Sequence, residues 1–159
     1  MLTGFQLKVS RGVLKLTVDK LANTINISRP TIIKLEKTSN TELIKCYTST
    51  LDKIELFFKS QNLFFPEYNS VAINTNLPIA NTSLSVFQIR GARSSLKLSL
   101  SELSDASNIH RNTLYSWEKG GILDIVNGDL NKILRLKKFF LSQGFIFPHN
   151  YSLAINKRL

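Results

Sequence analysis

Arg111, Asn112, Thr113, Tyr115 and Ser116 crowd into the single stretch "RNTLYS". An arginine can grip a guanine edge with two parallel N–H donors, and an asparagine can do the same with adenine. Threonine and tyrosine can reach a phosphate or a thymine methyl. A helix could present such residues together on its outward face. The interleaved Ile109, Leu114 and Trp117 supply an inward, apolar face for that helix. A second stretch repeats the pattern: "NISRPTIIKLEK" from Asn26 keeps the Asn, Ile, Arg, Thr, Glu and Lys of "NIHRNTLYSWEK" from Asn108. Its outward positions are Arg29, Pro30, Thr31, Ile33 and Lys34. Arg29, Thr31 and Lys34 suit base contact. Pro30 and Ile33 donate no side-chain hydrogen bond and are candidates for contact with a protein.

The two stretches belong to a longer duplication. Phe5 aligns with Phe87, an offset of 87 − 5 = 82, and this offset runs without a gap through almost the whole chain. "FFKSQNLFFP" lies over "FFLSQGFIFP" and "SVAIN" over "SLAIN". Roughly a third of aligned positions are identical, more than two amphipathic segments share by chance. The expected organisation is a first domain at 1–75, a linker at 76–83 rich in Asn with Pro78, and a second domain at 84–159. Each copy exceeds a solenoid repeat and is long enough to fold as a small domain.

Within a copy the hydrophobic spacing is mainly helical. Phe87 to Leu96 reads as a first helix. Ser99 with Glu102 is a capping box flanked by Leu98 and Leu103 as a hydrophobic staple, so a second helix starts there and ends near Ser107. The polar "SNIHRN" turns the chain into the third, short helix. The first copy supplies Thr17 as the corresponding cap, Asp19 near the positive helix end, Ser28 as cap of the third helix, and Pro30 in its first turn. A longer amphipathic helix follows at about Leu51 to Gln61 and Asp129 to Ser142. Asn62 and Gly144 are left-handed helix stops, and "LFFPEYNSVAI" and "FIFPHNYSLAI" read as β-hairpins.

The formal net charge of +10 comes from singly scattered basic residues rather than one Lys/Arg run, which suits a folded anion-binding surface. Phosphate contacts are expected at the second-helix N-termini, Thr17 and Ser99, and at Lys37 and Lys119 just past the third helices. Lys132, Arg135, Lys137 and Lys138 add charge along the long helix. A lone Cys46 with His110 and His149 offers no zinc constellation, so no metal or cofactor is expected. Without a Gly-rich phosphate loop or a nucleophile–base–acid set, no catalytic residues and no enzyme activity are expected. No stretch approaches the ~20 apolar residues of a bilayer span, and "MLTGFQLKVSRG" lacks the order of a secretory leader. A cytoplasmic protein without membrane contact is the expectation.

The stretch "ARSSLKLSLSELSDASNIHRNTLYSWEKGG" resembles the lambda-repressor/Cro-type helix-turn-helix domain, the XRE family, through Arg93, Ser99, Leu103, Ser104, Ile109, Thr113, Leu114, Trp117, Glu118, Lys119 and Gly120. The first copy resembles it through Arg11, Thr17, Leu21, Ala22, Ile27, Ser28, Thr31, Ile32, Leu35, Glu36 and Lys37. The resemblance implies a mainly α fold of two tandem lambda-repressor-like helix-turn-helix domains, each followed by a short β-hairpin. It implies an ion pair from first to third helix, Arg11 with Glu36 and Arg93 with Glu118. It also implies a double-stranded DNA-binding transcription regulator of bacterial, phage or mobile-element type, here a single chain imitating a repressor dimer. Val18 and Leu100 replace the customary Gln after the second-helix cap, which removes one DNA contact from each copy. His110 replaces the usual Ser/Thr cap. The alternative is a protein-binding antiactivator or adaptor using the helix-turn-helix surface, or self-association through the hairpin edges.

Overall fold

The computed structural model describes residues 1–79 and 83–156. Helices α1 (Gly4–Val13), α2 (Val18–Ile25), α3 (Arg29–Glu36) and α4 (Thr48–Ser60) lead into a hairpin of β1 (Leu63–Phe64) and β2 (Ser70–Ile73). The same order returns as α5 (Val86–Ser95), α6 (Leu100–Ser107), α7 (Arg111–Lys119), α8 (Leu130–Ser142), β3 (Phe145–Ile146) and β4 (Ser152–Ile155). The protein is mainly helical with a small antiparallel sheet. The expected linker falls partly on 80–82, which lie outside the described residues.

Local chemistry sets the helix ends. Thr17 Oγ1 accepts from the N–H of Lys20, and Ser99 with Glu102 closes a reciprocal capping box. Asn26 and Asn108 end α2 and α6 in the left-handed region, at φ 51° and 52°. Ser28 caps α3, Pro30 sits in its first turn, and His110 Nδ1 accepts from the N–H of Asn112 at the start of α7. Asn62 and Gly144 stop α4 and α8 with positive φ. Helix α4 begins at Thr48, ahead of the expected Leu51, because its first turn is polar and carries no apolar stripe to mark it.

Two capping boxes escaped sequence reading: Thr3 with Gln6 and Ser85 with Gln88. Each glutamine is buried and reaches further. Gln6 Nε2 donates to the carbonyls of Glu67 and Ser70, and Gln88 Nε2 donates to those of His149 and Ser152. One side chain thereby caps the first helix and fastens the hairpin to it.

The two hairpins join in one sheet of order β1-β2-β4-β3. Antiparallel β2 and β4 place Val71 opposite Leu153, its own counterpart since 153 − 71 = 82. Helices α1 and α5 meet in the same sense. Gly12 faces its counterpart Ser94 so closely that a Cβ at Gly12 would lie 2.2 Å from Ser94 Cβ. Gly91 packs against its counterpart Val9 and against Leu153. Equivalent residues meeting each other in sheet and helix pair define a pseudo-two-fold axis through both.

Contacts across this axis are polar as well as apolar. Ser94 Oγ donates to the carbonyl of Lys8 at 2.8 Å, and Asn69 Nδ2 donates to that of Ile155 at 2.8 Å. Phe5 of the first half and Phe145 of the second have ring centroids 6.3 Å apart. Leu2, Phe5, Phe58, Leu84, Phe87 and Phe140 are fully buried in one apolar cluster drawn from both halves. Each such side chain contributes about 1.5–3 kcal/mol of burial. The halves therefore share a sheet and a core. The inner hairpin edges are consumed by β2–β4 pairing, leaving β1 and β3 as the sheet's edges for any self-association.

Candidate nucleic-acid interface

Ion pairs tie each third helix to its half. Arg11 Nη2 reaches Glu36 Oε2 at 3.0 Å, with a second, shorter contact from Nε to Oε1. Arg93 Nε and Nη2 both reach the Glu118 carboxylate at 2.6 Å. The remaining guanidinium nitrogen of each arginine donates to the carbonyl of Leu16 or Leu98, just before α2 or α6. One arginine thus fixes three helices of its half. The Glu118 hydrogen bonds hold the Arg93 pKa above its usual range. Glu118 is buried, so this forked pair leaves neither of its carboxylate oxygens without a donor.

A groove of about 730 Å³ lies across the pseudo-two-fold axis. Thr17 and Ser99, the N-caps of α2 and α6, line it from the two halves, as do the counterparts Ile33 of α3 and Tyr115 of α7. Lys37 lines it from the first half. The structure therefore gathers five of the sequence-predicted residues around one feature. Arg29, Pro30 and Lys34 on α3, and Arg111, Asn112 and Ser116 on α7, are exposed outside its lining; Thr31 and Thr113 are half-buried. Lys119 is exposed and does not line the groove.

Side-chain partners separate the two faces. Arg29 Nε lies 2.8 Å from Asp19 Oδ1, so this guanidinium is tied back to α2. Arg111 has Ser101 in the place of Asp19, since 101 − 19 = 82, and no carboxylate pairs with it among the described residues. Thr31 Oγ1 shares a hydrogen bond with Ser28 Oγ at 2.7 Å, and Ser116 Oγ turns back to the carbonyl of Thr113 at 2.8 Å. Of the long-helix cations, Arg135 donates to the carbonyl of Asn108 at 2.9 Å and Lys137 lies 5.9 Å over the Phe147 ring. Both brace α8 within the second half.

The groove also holds cations that sequence reading passed over: Lys8, Lys15, Arg90 and Lys97. Lys8 Nζ donates to the carbonyl of Thr38 at 3.0 Å, and its counterpart Arg90 grips the carbonyls of Glu118 and Gly120. Arg90 also donates across the axis to the carbonyl of Val13 at 3.3 Å. Burial lowers the pKa of Arg90 despite the nearby Glu118. One signal was available in advance: Lys15 and Lys97 are among the few charged residues identical in both copies.

Among the described residues no cluster of His, Cys, Asp and Glu suits a metal ion, and no helix is long and apolar enough to cross a membrane. Comparison of the chain with family models, with curated proteins and with solved structures finds no match.

Proposed function

We propose that this chain is a sequence-specific double-stranded DNA-binding transcription regulator of bacterial, phage or mobile-element type, working in the cytoplasm. Its two helix-turn-helix units, α2–α3 and α6–α7, are of the lambda-repressor kind and act as a single-chain pseudo-dimer. The observation that carries this reading is the common groove: two helix N-termini and two third helices, related by the pseudo-two-fold axis, border one cationic feature. A duplex has the matching symmetry, and helix N-termini with lysines suit its phosphates. Joining two heads in one chain raises the local concentration of the second once the first is engaged. Thr17, Ser99, Lys37 and Lys119 take phosphate contacts; Arg111, Asn112, Thr113, Tyr115 and Ser116 face the bases, with Arg29, Thr31 and Lys34 in the equivalent places.

Selection of bound sequences from random duplex DNA at stated salt tests the proposal. Enrichment of two unlike half-sites, about one helical turn or ~34 Å apart, is the expected result. No enrichment would overturn it. The second reading, a protein-binding antiactivator or adaptor, draws support from exposed Pro30 and from the tie between Arg29 and Asp19, which leave α3 poorly equipped for bases. Salt separates the two: duplex affinity falls steeply with added salt through counterion release, whereas a dry protein interface responds weakly.

A further inference from the structure

The proposed reading leaves two groove cations unused. Lys15 and Lys97 are counterparts, 97 − 15 = 82, and each follows the C-cap of its half's first helix in the left-handed region, at φ 51° and 57°. Glycine takes that backbone conformation with least strain, and a lysine side chain adds nothing to the turn itself. Both copies nonetheless place lysine there. Both side chains are exposed, both line the groove, and neither forms a salt bridge or side-chain hydrogen bond among the described residues. The two carboxylates that line the groove, Glu36 and Glu118, are taken up by Arg11 and Arg93.

The cations also repel one another across the axis. Burial, and then the charge of Lys97 in the other half, holds Lys8 below the usual lysine range. Burial, and then Arg90, does the same for Lys15. Glu36 and Glu118 offset this repulsion only in part, since both lysines stay below the usual range; a polyanion in the open groove relieves the rest, and closely spaced phosphates are the chemistry that fits.

We propose that the groove on the pseudo-two-fold axis is a central phosphate-binding site in which Lys15 and Lys97 grip the backbone of a duplex between the stretches facing α3 and α7. The inference rests on the DNA-binding reading and assigns the part of the operator that reading leaves open: the base pairs between the half-sites, held by charge and not by sequence. Because β2–β4 pairing and the α1–α5 contact join the halves, Lys15 and Lys97 stand on one packed unit, and the operator centre should have one preferred length.

The test uses the full chain and the duplex obtained by selection. In the Lys15→Gly/Lys97→Gly variant, glycine suits the left-handed turns, so the melting temperature should equal or exceed that of the wild type. Its salt dependence of log affinity should become shallower by about 2, one for each lost phosphate contact. Its ranking of half-site base substitutions should be unchanged, and Lys15→Arg/Lys97→Arg should keep the wild-type slope. Neutral methylphosphonates at the central phosphates should weaken the wild type and leave the glycine variant unaffected.

An unchanged slope in a well-folded variant overturns the inference while DNA binding stands; a wild type that binds no duplex overturns both. If the glycine variant melts below the wild type, the methylphosphonate duplex decides with the wild type alone, and unchanged affinity overturns the inference. Inorganic tripolyphosphate is the other probe. Its tight binding by the wild type, lost in the variant and without any change in duplex slope, would assign the groove to a free polyphosphate instead of an operator.

Discussion

Helices α3 and α7 hold equivalent places on one duplicated scaffold and present different chemistry from it. Their inward residues agree in kind: Ile32 and Leu35 are buried in one, Leu114 and Trp117 in the other, and each helix is pinned by an arginine of the first helix. Their outward residues part company. Helix α7 offers Arg111, which pairs with no carboxylate among the described residues, beside exposed Asn112 and Tyr115, whereas α3 offers exposed Pro30, Ile33 in the groove, and an Arg29 tied to Asp19. The neighbouring helix starts differ as well: α2 carries Lys20 where α6 carries the Glu102 of the capping box, since 102 − 20 = 82. A carboxylate at a helix N-terminus competes with phosphate, and each half carries one: Glu102 closes the capping box of α6, whereas Asp19 in the first turn of α2 pairs with Arg29 and has Lys20 beside it. The comparison teaches that a duplication can hold packing constant while the faces diverge; on the proposed reading, α7 would serve base readout and the first half affinity or partner contact.

The largest effect is expected where the scaffold itself is broken. Arg93→Ala should destabilise the protein by about 3 kcal/mol, because it strands a carboxylate that is only 5% exposed. Arg11→Ala should cost less, about 1–2 kcal/mol, because Glu36 is 12% exposed and regains some water. Urea denaturation measures both; an unchanged midpoint for Arg93→Ala would show that the pair is no strut and would point Arg93 to a direct phosphate role.

Next in size is the test of readout. Arg111→Ala or Asn112→Ala should weaken binding to the selected duplex by about 1–3 kcal/mol and relax its sequence preference. Ile33→Ala should change preference little. Binding profiles at one fixed salt decide the matter: equal loss of preference from Asn112→Ala and Ile33→Ala would mean that both faces read bases, and the division of labour would fail.

A smaller change should sharpen the contrast from the other side. Asp19→Asn releases Arg29 from its exposed ion pair and removes a negative charge near the N-terminus of α2. Duplex affinity should rise by up to about 1 kcal/mol, most at low salt. If affinity falls instead, the Asp19 pairing positions Arg29 for DNA and α3 is better prepared for readout than its partners suggest.

The least effect concerns acid. Hydrogen bonds from the backbone N–H and then the hydroxyl of Ser99 hold Glu102 below the usual carboxylate range. A carboxylate with a lowered folded-state pKa stabilises fully above its unfolded value, about 4.3, and that contribution is lost as pH falls through the folded value. Acid should therefore lower amide protection, relative to the intrinsic exchange rate at each pH, at the start of α6 before it does so at the start of α2, where Lys20 provides no such group. Equal protection at Ser99 and Thr17 across that range would remove this difference between the halves.

What the sequence determined by itself is local. Thr17, Ser28, Ser99 and Glu102 cap helices through bonds spanning three residues, and Asn62 and Gly144 stop helices through their own backbone preferences. The hairpins and the duplication were legible for the same reason, since each is written in consecutive residues. The tertiary structure alone decided that β2 pairs with β4, that Gly12 and Ser94 let α1 and α5 approach, and that Lys15, Lys97, Thr17 and Ser99 border one groove. Those pairings join residues about 82 positions apart, and either half of the sequence holds only one partner of each. A strand edge or a small helix residue reveals its use when its counterpart arrives, because hydrogen bonding and close packing are properties of the pair.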